Sequence, residues 1–375
     1  MSEQVRVLHV LGGTHLGGAE SRVMDMYRGM DREHVQFDFC VHTKDEGYFD
    51  KEIEQLGGKI YKIPRFKIYN WRAYKKAWDA FFAEHHEFAA VHGHMTSTAS
   101  IYLPIAKKHG IPMTIAHARS AGVDHSLKGI ATKIIRKPLR NRADYCFACS
   151  KIAGEAVFGK KAVKDGKVFI IPNAIATGQF VYSEEVRERM RRKLGFDHKL
   201  VIGHAGRFHY AKNHTFLLDV FAEIAKERED AVLLLVGDGD LRPQIEQKIK
   251  ELGLVEKVFL VGRKSNMGEY CQAMDVMVFP SHFEGLPGTI LETQVAGLPS
   301  LISDTITPEV RITDLVVEKS LQDPAKDWAE KAIEMSNWKR VSRLQEIQKA
   351  GYDVDLQVKK METFYTTGRL SAIYE

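Results

Sequence analysis

Short apolar runs alternate along this chain with longer stretches whose apolar positions recur every three or four residues, which predicts parallel strands joined by crossover helices. The runs of the first half are 5–11, 35–41, 59–63, 89–94, 113–118, 144–149 and 168–171. A second series starts at 200–205 and continues with 231–236, 257–261, 275–279, 299–302 and 314–317. Between the two series, 177–195 is polar and ends in an Arg-rich helical pattern, so a domain boundary is expected near 172–197. The expected architecture is α/β, with two doubly wound domains facing each other across a cleft. The first covers 1–172, a linker region 173–197, the second 198–353, and a C-terminal helix in 354–375 packs back on the first. Ligands of open parallel sheets bind beyond the carboxyl ends of the strands, so the loops that follow the strands are where chemistry is sought.

Composition fits this picture. The 375 residues, 44% hydrophobic and 27% charged, can bury two full cores. No secretory leader pattern opens the chain and no apolar run is long enough to span a bilayer, so a cytoplasmic protein, at most peripheral to a membrane, is expected. Cys40, Cys146, Cys149 and Cys271 are too scattered for a disulfide framework, and Cys146-Phe147-Ala148-Cys149 reads as core packing at a strand end.

Charge is uneven. Residues 1–175 hold 27 Lys+Arg against 18 Asp+Glu, leaving 27 against 31 for the rest. The stretch 126–142 carries Lys128, Lys133, Arg136, Lys137, Arg140 and Arg142 with no acid, interleaved with Ile130, Ile134, Ile135 and Leu139 at helical spacing. That pattern suits a helix lying on an anionic membrane surface, and equally a solvated helix over the core. The stretch 65–76 alternates Phe66, Tyr69, Trp71 and Tyr74 with cations, a mixture fit for a lipid interface. No nucleic-acid motif accompanies the charge, so no nucleic acid is expected as a partner.

Four loops carry candidate chemistry. The segment Glu284-Gly285-Leu286-Pro287-Gly288-Thr289-Ile290-Leu291-Glu292 follows a strand and sets two carboxylates eight residues apart around a Gly-Pro turn. Pro287 suits the first turn of a helix, whose free N–H groups and dipole attract an anion such as a diphosphate. After the strand at 200–205, Arg207 and Lys212 supply a guanidinium fork and an ammonium that can neutralise a departing diphosphate. After the first strand, Gly12 to Glu20 forms a glycine-rich turn containing Gly17 and Gly18, without the G-x-G-x-x-G spacing of dinucleotide sites. His92-Gly93-His94 puts two rings on one side of a strand as metal ligands stand, but no third ligand is in view.

Arg207 with Lys212, the Glu284 to Glu292 pair, the Gly17-Gly18 turn and Ile171-Pro172-Asn173 together resemble the retaining nucleotide-sugar glycosyltransferases of family 4. The likeness covers nearly the whole chain. It is strongest from Gly203 to Glu309, and nearest to bacterial exopolysaccharide and capsule enzymes because of the stretch 297–304. The family implies a GT-B fold of two Rossmann-like domains. It further implies that Arg207, Lys212 and the backbone from Gly285 through Leu286, Pro287 and Gly288 to Thr289 hold the diphosphate. Glu284 would then bind the transferred sugar, Glu292 the ribose, and Gly17 and Gly18 close over the diphosphate. His117 would stand beside sugar and acceptor, and Arg263, with Lys264, would line the base pocket. Thr293 and Gln294 depart from the small residues usual in the family, and 305–308 replaces a glycine-rich loop. The implied substrates are a nucleoside-diphosphate sugar, preferably of uridine, and a glycan or polyprenyl-diphosphate-linked acceptor, with no metal or other cofactor. The rival classes are a nucleotide-sugar epimerase or hydrolase on the same scaffold, a dinucleotide-dependent oxidoreductase and a pure binding protein. The oxidoreductase needs an acid at the end of the second strand, where Cys40-Val41-His42-Thr43 has none.

Overall fold

A computed structural model of the chain describes residues 4–119, 127–284 and 286–371, with side chains of 127–131 not among them. Two compact units result: Met1–Ala174 with Val354–Glu375, and Ile175–Asp353.

The first unit holds a parallel sheet of β1 (Val5–Leu11), β2 (Val35–Val41), β3 (Ile60–Lys62), β4 (Phe88–Gly93), β5 (Met113–Ala118), β6 (Tyr145–Ala148) and β7 (Val168–Ile170), in the order β3-β2-β1-β4-β5-β6-β7. The second holds β8 (Leu200–Ala205), β9 (Ala231–Val236), β10 (Val258–Gly262), β11 (Val276–Phe279), β12 (Ser300–Ser303) and β13 (Val316–Lys319), in the order β10-β9-β8-β11-β12-β13. Both chains of strands grow outward from β1 or β8 in one direction and then jump back beside it. The crevice for a ligand therefore opens between β1 and β4 in one unit and between β8 and β11 in the other.

The strands are mostly apolar because helices cover both faces. Every residue of β2, β8 and β9 is buried. Alternate side chains then feed separate cores: Val201 and Ala205 pack with Met277, Phe279 and Ile290, while Leu200 and Ile202 pack with Leu233, Val276 and Trp328. In the first sheet Leu8, Val10, Val91 and Ala116 pack with Tyr74, Trp78 and Tyr102. The opposite face is not aliphatic. It carries His9, Phe37, Phe39, His92, His117 and Phe147, with Tyr27 of the helix Gly18–Gly29 and Tyr365 of the helix Val354–Thr367 against them. All four cysteines are buried, and none is in a disulfide.

The stretch 173–197 is not a linker. From Ile175 it belongs to the second unit, where the helix Glu184–Leu194 is capped by Ser183 and ended by Gly195 in the left-handed region. Arg187 and Arg191 of that helix both pair with Asp275, whose other bond holds the Val201 N–H at 2.7 Å. A polar sequence stretch thus became structural through a carboxylate at the start of β11. The basic stretch 126–142 also differs from a helix lying freely on a surface. Ser126 lies outside the described residues, the helix Leu127–Arg136 gives way to a short turn at Leu139–Asn141, and Arg136 and Leu139 are buried. Arg136 donates to the Ala156 carbonyl, Arg142 to that of Ser100, and Ile134 stays exposed. Among the described residues no helix is long and apolar enough to cross a membrane.

Candidate functional site

The crevice of the second unit is assembled from the loops that leave β8, β9 and β11. Three glycines let the first two nest: a Cβ on Gly237 would stand 1.9 Å from the Gly206 carbonyl oxygen, and one on Gly239 2.5 Å from that of Phe208. Phe208 N–H then donates to the Asp238 carbonyl and Leu241 N–H to that of Phe208. The β8 loop ends in a turn, Tyr210–Lys212, capped by His209 and closed by Asn213 with φ of 53°. His282 N–H donates to the Ala211 carbonyl at 2.8 Å, and its ring stacks on Tyr210, joining the β8 and β11 loops.

This junction brings Lys212 and Glu284 together. Lys212 Nζ lies 2.7 Å from Glu284 Oε1, each side chain 18% exposed, and 4.3 Å from the centroid of the Phe279 ring. Glu284 is fixed from behind: it makes a parallel bridge with Ile306, while Thr305 and Ser303 hydroxyls donate to the Ser281 carbonyl. The segment 305–308 therefore braces the acidic loop, a job that a glycine-rich loop could not do with hydroxyls. Below the pair, His204 Nδ1 donates to the Val278 carbonyl at 2.9 Å, and burial holds the ring well below the usual histidine range, with Lys212 adding to the effect. Burial, then the Lys212 charge, brings His214 down to about 4. Both rings are neutral at physiological pH, so the charge at this strand end comes from Lys212 and Glu284.

The remaining expected donor residues fall in three places. Gly288 opens the helix Gly288–Val295, with Pro287 one position earlier than expected, as N-cap in an extended conformation with no side-chain capping bond. The first N–H groups of that helix, at Gly288 and Thr289, have no partner among the described residues and suit an anion. Glu292 is buried in the same helix, Leu286 is half-buried before it, and Gly285 lies outside the described residues. Arg207 points elsewhere, to Asp240 at 2.9 Å, with the two side chains 60% and 77% exposed. Such a surface pair is worth at most about 1 kcal/mol, so the fork can be recruited cheaply. Arg263 follows the edge strand β10, with β9 between it and β8, and makes no ion pair or hydrogen bond among the described residues. Thr293 and Gln294 are buried and satisfied: Gln294 spans Ile290, Val310 and Thr313.

In the first unit, Gly17 caps the helix Gly18–Gly29, and a Cβ there would meet the Glu20 carboxylate at 2.3 Å. Burial pushes the Glu20 carboxyl up, against the pull of its own backbone N–H. A Cβ on Gly18 would meet nothing within 4 Å, so the backbone there is open to close approach. His117 is buried and belongs to a ladder of rings that sequence reading had not joined. His9 Nδ1 stands 3.0 Å from His94 Nε2, and His92 Nε2 stands 3.0 Å from His117 Nδ1. Arg119 Nε donates to His94 Nδ1 at 3.1 Å, and the Tyr365 hydroxyl is 2.7 Å from His92 Nδ1. Burial holds all four histidines well below their usual range, with Arg119 adding to it. His9, Arg119 and Tyr365 were missed; the available signal was a histidine near the carboxyl end of each of β1, β4 and β5, the three strands around the first switch point.

His9, His92 and His94 approach one another closely enough to be weighed as a metal site. The hydrogen bonds argue against it. Arg119 can only donate, so His94 Nδ1 accepts and the proton of that neutral ring sits on Nε2, which leaves Nε2 no lone pair for a metal. A buried guanidinium beside the site also repels a cation.

A cavity of about 610 Å³ opens in the first unit between His42, the loop carrying Arg65, Phe66, Lys67, Ile68 and Tyr69, and Met95. Ile68 and Tyr69 are 67% and 83% exposed, and Trp71 is exposed next to them. Lys67 and Lys75 lie over the Tyr69 and Trp71 rings.

Comparison with known proteins bears on both units. The model described as Glycosyltransferase Family 4 matches residues 16–179, and that described as Glycosyl transferases group 1 matches residues 199–337. The chain is 32% identical to the putative glycosyltransferase EpsF of Bacillus subtilis (strain 168) over 97% of each chain. It is 26% identical to the UDP-Gal:alpha-D-GlcNAc-diphosphoundecaprenol alpha-1,3-galactosyltransferase of Escherichia coli over 58% of each. Among solved structures, Anabaena Alr3699/HepE in complex with UDP-glucose matches 98% of this chain and 100% of its own, with a TM-score of 0.75 at 16% identity, a likeness of fold.

Proposed function

Since the chain belongs to the family 4 glycosyltransferases and has their GT-B fold, we propose that it moves a hexosyl or N-acetylhexosaminyl group, with retention of anomeric configuration, from a UDP-sugar to a lipid-linked glycan in surface polysaccharide synthesis. The observation that carries this reading is the Lys212–Glu284 pair at the β8/β11 switch point, next to the free start of the helix Gly288–Val295.

A sugar leaving a nucleoside diphosphate builds negative charge on phosphate and positive charge on its ring. In this reading Lys212 and Arg207 neutralise the first, helped by the N–H groups at Gly288 and Thr289. Two side-chain cations at the diphosphate do the work a metal does elsewhere, so activity without added metal is part of the proposal. Glu284 accepts hydroxyl protons of the sugar and Glu292 those of the ribose, while Arg263 serves the base. Glu284 is held by Lys212 rather than aimed as a nucleophile, which supports attack by the acceptor on the face the leaving group departs from, with a donor phosphate oxygen taking the proton. The first unit contributes His117, Gly17 and Gly18 to the same reaction.

For the acceptor, the E. coli relative acts on a diphosphoundecaprenol-linked sugar, and the first unit has a cavity to match such a molecule. Arg65 and Lys67 suit a diphosphate, and Phe66, Ile68 and Met95 suit an isoprenoid chain. The exposed Ile68, Tyr69 and Trp71 support peripheral contact with the inner face of an anionic membrane. Equal binding to neutral and anionic liposomes at low salt would remove that part.

The test is transfer itself: UDP-glucose, UDP-galactose and UDP-N-acetylglucosamine with a short polyprenyl-diphosphate-linked sugar, in EDTA, read by NMR. An α-linked product from one donor is expected. A β-linked product overturns retention, and rapid consumption of donor without acceptor favours the epimerase or hydrolase reading.

A further inference from the structure

The buried rings of the first unit form two directed chains. In one, Arg119 donates to His94 and His94 to His9, a direction fixed because a guanidinium has no lone pair to offer. In the other, the Tyr365 hydroxyl meets His92 Nδ1 at 2.7 Å and His92 Nε2 meets His117 Nδ1 at 3.0 Å. Its direction follows from what each end can satisfy. Tyr365 is fully enclosed, and among the described residues His92 is its one hydrogen-bond neighbour. If Tyr365 donates, His92 Nδ1 accepts, His92 Nε2 carries the proton and donates, and His117 Nδ1 accepts. The neutral His117 then carries its proton on Nε2, a buried atom with no partner among the described residues. The reverse direction leaves two buried groups unmet, the hydroxyl proton of Tyr365 and the lone pair of His117 Nε2, against the single His117 N–H of the forward one, and is the costlier arrangement.

We propose that Tyr365 and His92 are positioning residues that lock His117 in the Nε2–H tautomer, so that it serves sugar transfer as a neutral hydrogen-bond donor and not as a base. This rests on the reading of His117 as a residue of the transfer site. The device ties that site to the last helix of the chain: Val354–Thr367 returns to the first unit and brings Tyr365 to His92, with Phe364 wedged between Tyr145 and Phe147 at 5.0 and 5.3 Å. A donor at His117 can bond an oxygen of the sugar or phosphate throughout the reaction without changing its own protonation, which suits a ring that burial keeps neutral.

The experiment uses the full chain with ¹⁵N-labelled histidine. Two-bond ¹H–¹⁵N correlations read the tautomer of His117, whose signals are identified by their loss in His117→Gln. The wild type is expected to show protonated Nε2 and unprotonated Nδ1. Tyr365→Phe should move His117 toward a mixture of tautomers and lower kcat about tenfold, with KM for the UDP-sugar within about twofold. His92→Gln, whose amide can accept from Tyr365 and donate to His117, should keep most of the activity, whereas His92→Met, unable to donate, should lose it as Tyr365→Phe does. A proton on Nδ1 in the wild type, or unchanged His117 signals and kcat in Tyr365→Phe, overturns the proposal. Wild-type kcat in His117→Gln would instead remove His117 from the transfer site while the tautomer measurement still reads the chain.

Discussion

The two sheets share one strand order, running from the third strand of each unit at the edge through the switch point, and differ in what they put at the ends of matching strands. At β1, β4 and β5 stand His9, His92 with His94, and His117, enclosed and neutral. At β8 and β11 the loops present Lys212 and Glu284, paired and part-exposed. Topology fixes where a ligand can sit, and the side chains decide what it can be: in the proposed reaction a diphosphate would be met by charge in the second unit, while the first unit would offer uncharged donors whose direction is set by hydrogen bonding.

The sharpest way to break this contrast is to remove the charged pair. Glu284→Gln and Lys212→Ala are each expected to lower kcat by roughly 10²- to 10³-fold, the scale of losing one preorganised electrostatic contact. Both side chains retain some access to solvent, so the fold should survive, as near-unchanged melting would show. Wild-type rates in both variants would dissolve the distinction between the units.

Much of this was legible in the sequence. Strands β1, β2, β5, β8 and β9 begin and end where the apolar runs do, because buried parallel strands need predominantly apolar stretches and glycine or polar residues end them. Boundaries slipped by a residue or two where Asp144 and Asp275, just ahead of their strands, donate their N–H groups to the backbone of Thr114 and Val201 but accept those residues' N–H groups on their carboxylates. The motif around Glu284 was visible as a pattern, whereas its bracing by Thr305 and Ile306 depends on contacts across the sheet. The histidine ladder was harder still: His9, His92 and His117 are far apart in sequence and meet only because β1, β4 and β5 are neighbours. Tyr365 joins them from a helix that sequence could place on the first domain but not rotate.

Acid sharpens the comparison next. A histidine whose folded value lies below its unfolded one binds more protons when unfolded, so its unit is fully stable above about pH 6.5 and loses stability as pH falls. The first unit has His9, His42, His92, His94 and His117, against His204 and His214 in the second. Hydrogen exchange at pH 5.5 should therefore open the first unit before the second; simultaneous opening would mean the ladder is not the weak point.

The smallest effect separates the two cations of the second unit. Arg207→Ala breaks only an exposed pair with Asp240, so stability should change by less than about 1 kcal/mol, and UDP affinity should weaken by only about threefold, as a titration can resolve. A loss as large as that of Lys212→Ala would show that Arg207 turns fully onto the diphosphate.

The central claim is that the β8/β11 switch point holds a nucleoside diphosphate through Lys212 without a metal. Calorimetric titration of UDP into wild type and Lys212→Ala, both in EDTA, tests it most directly. The account predicts binding by the wild type and at least about tenfold weaker binding by the variant. Equal affinities, or binding that appears only when a divalent cation is restored, would contradict it.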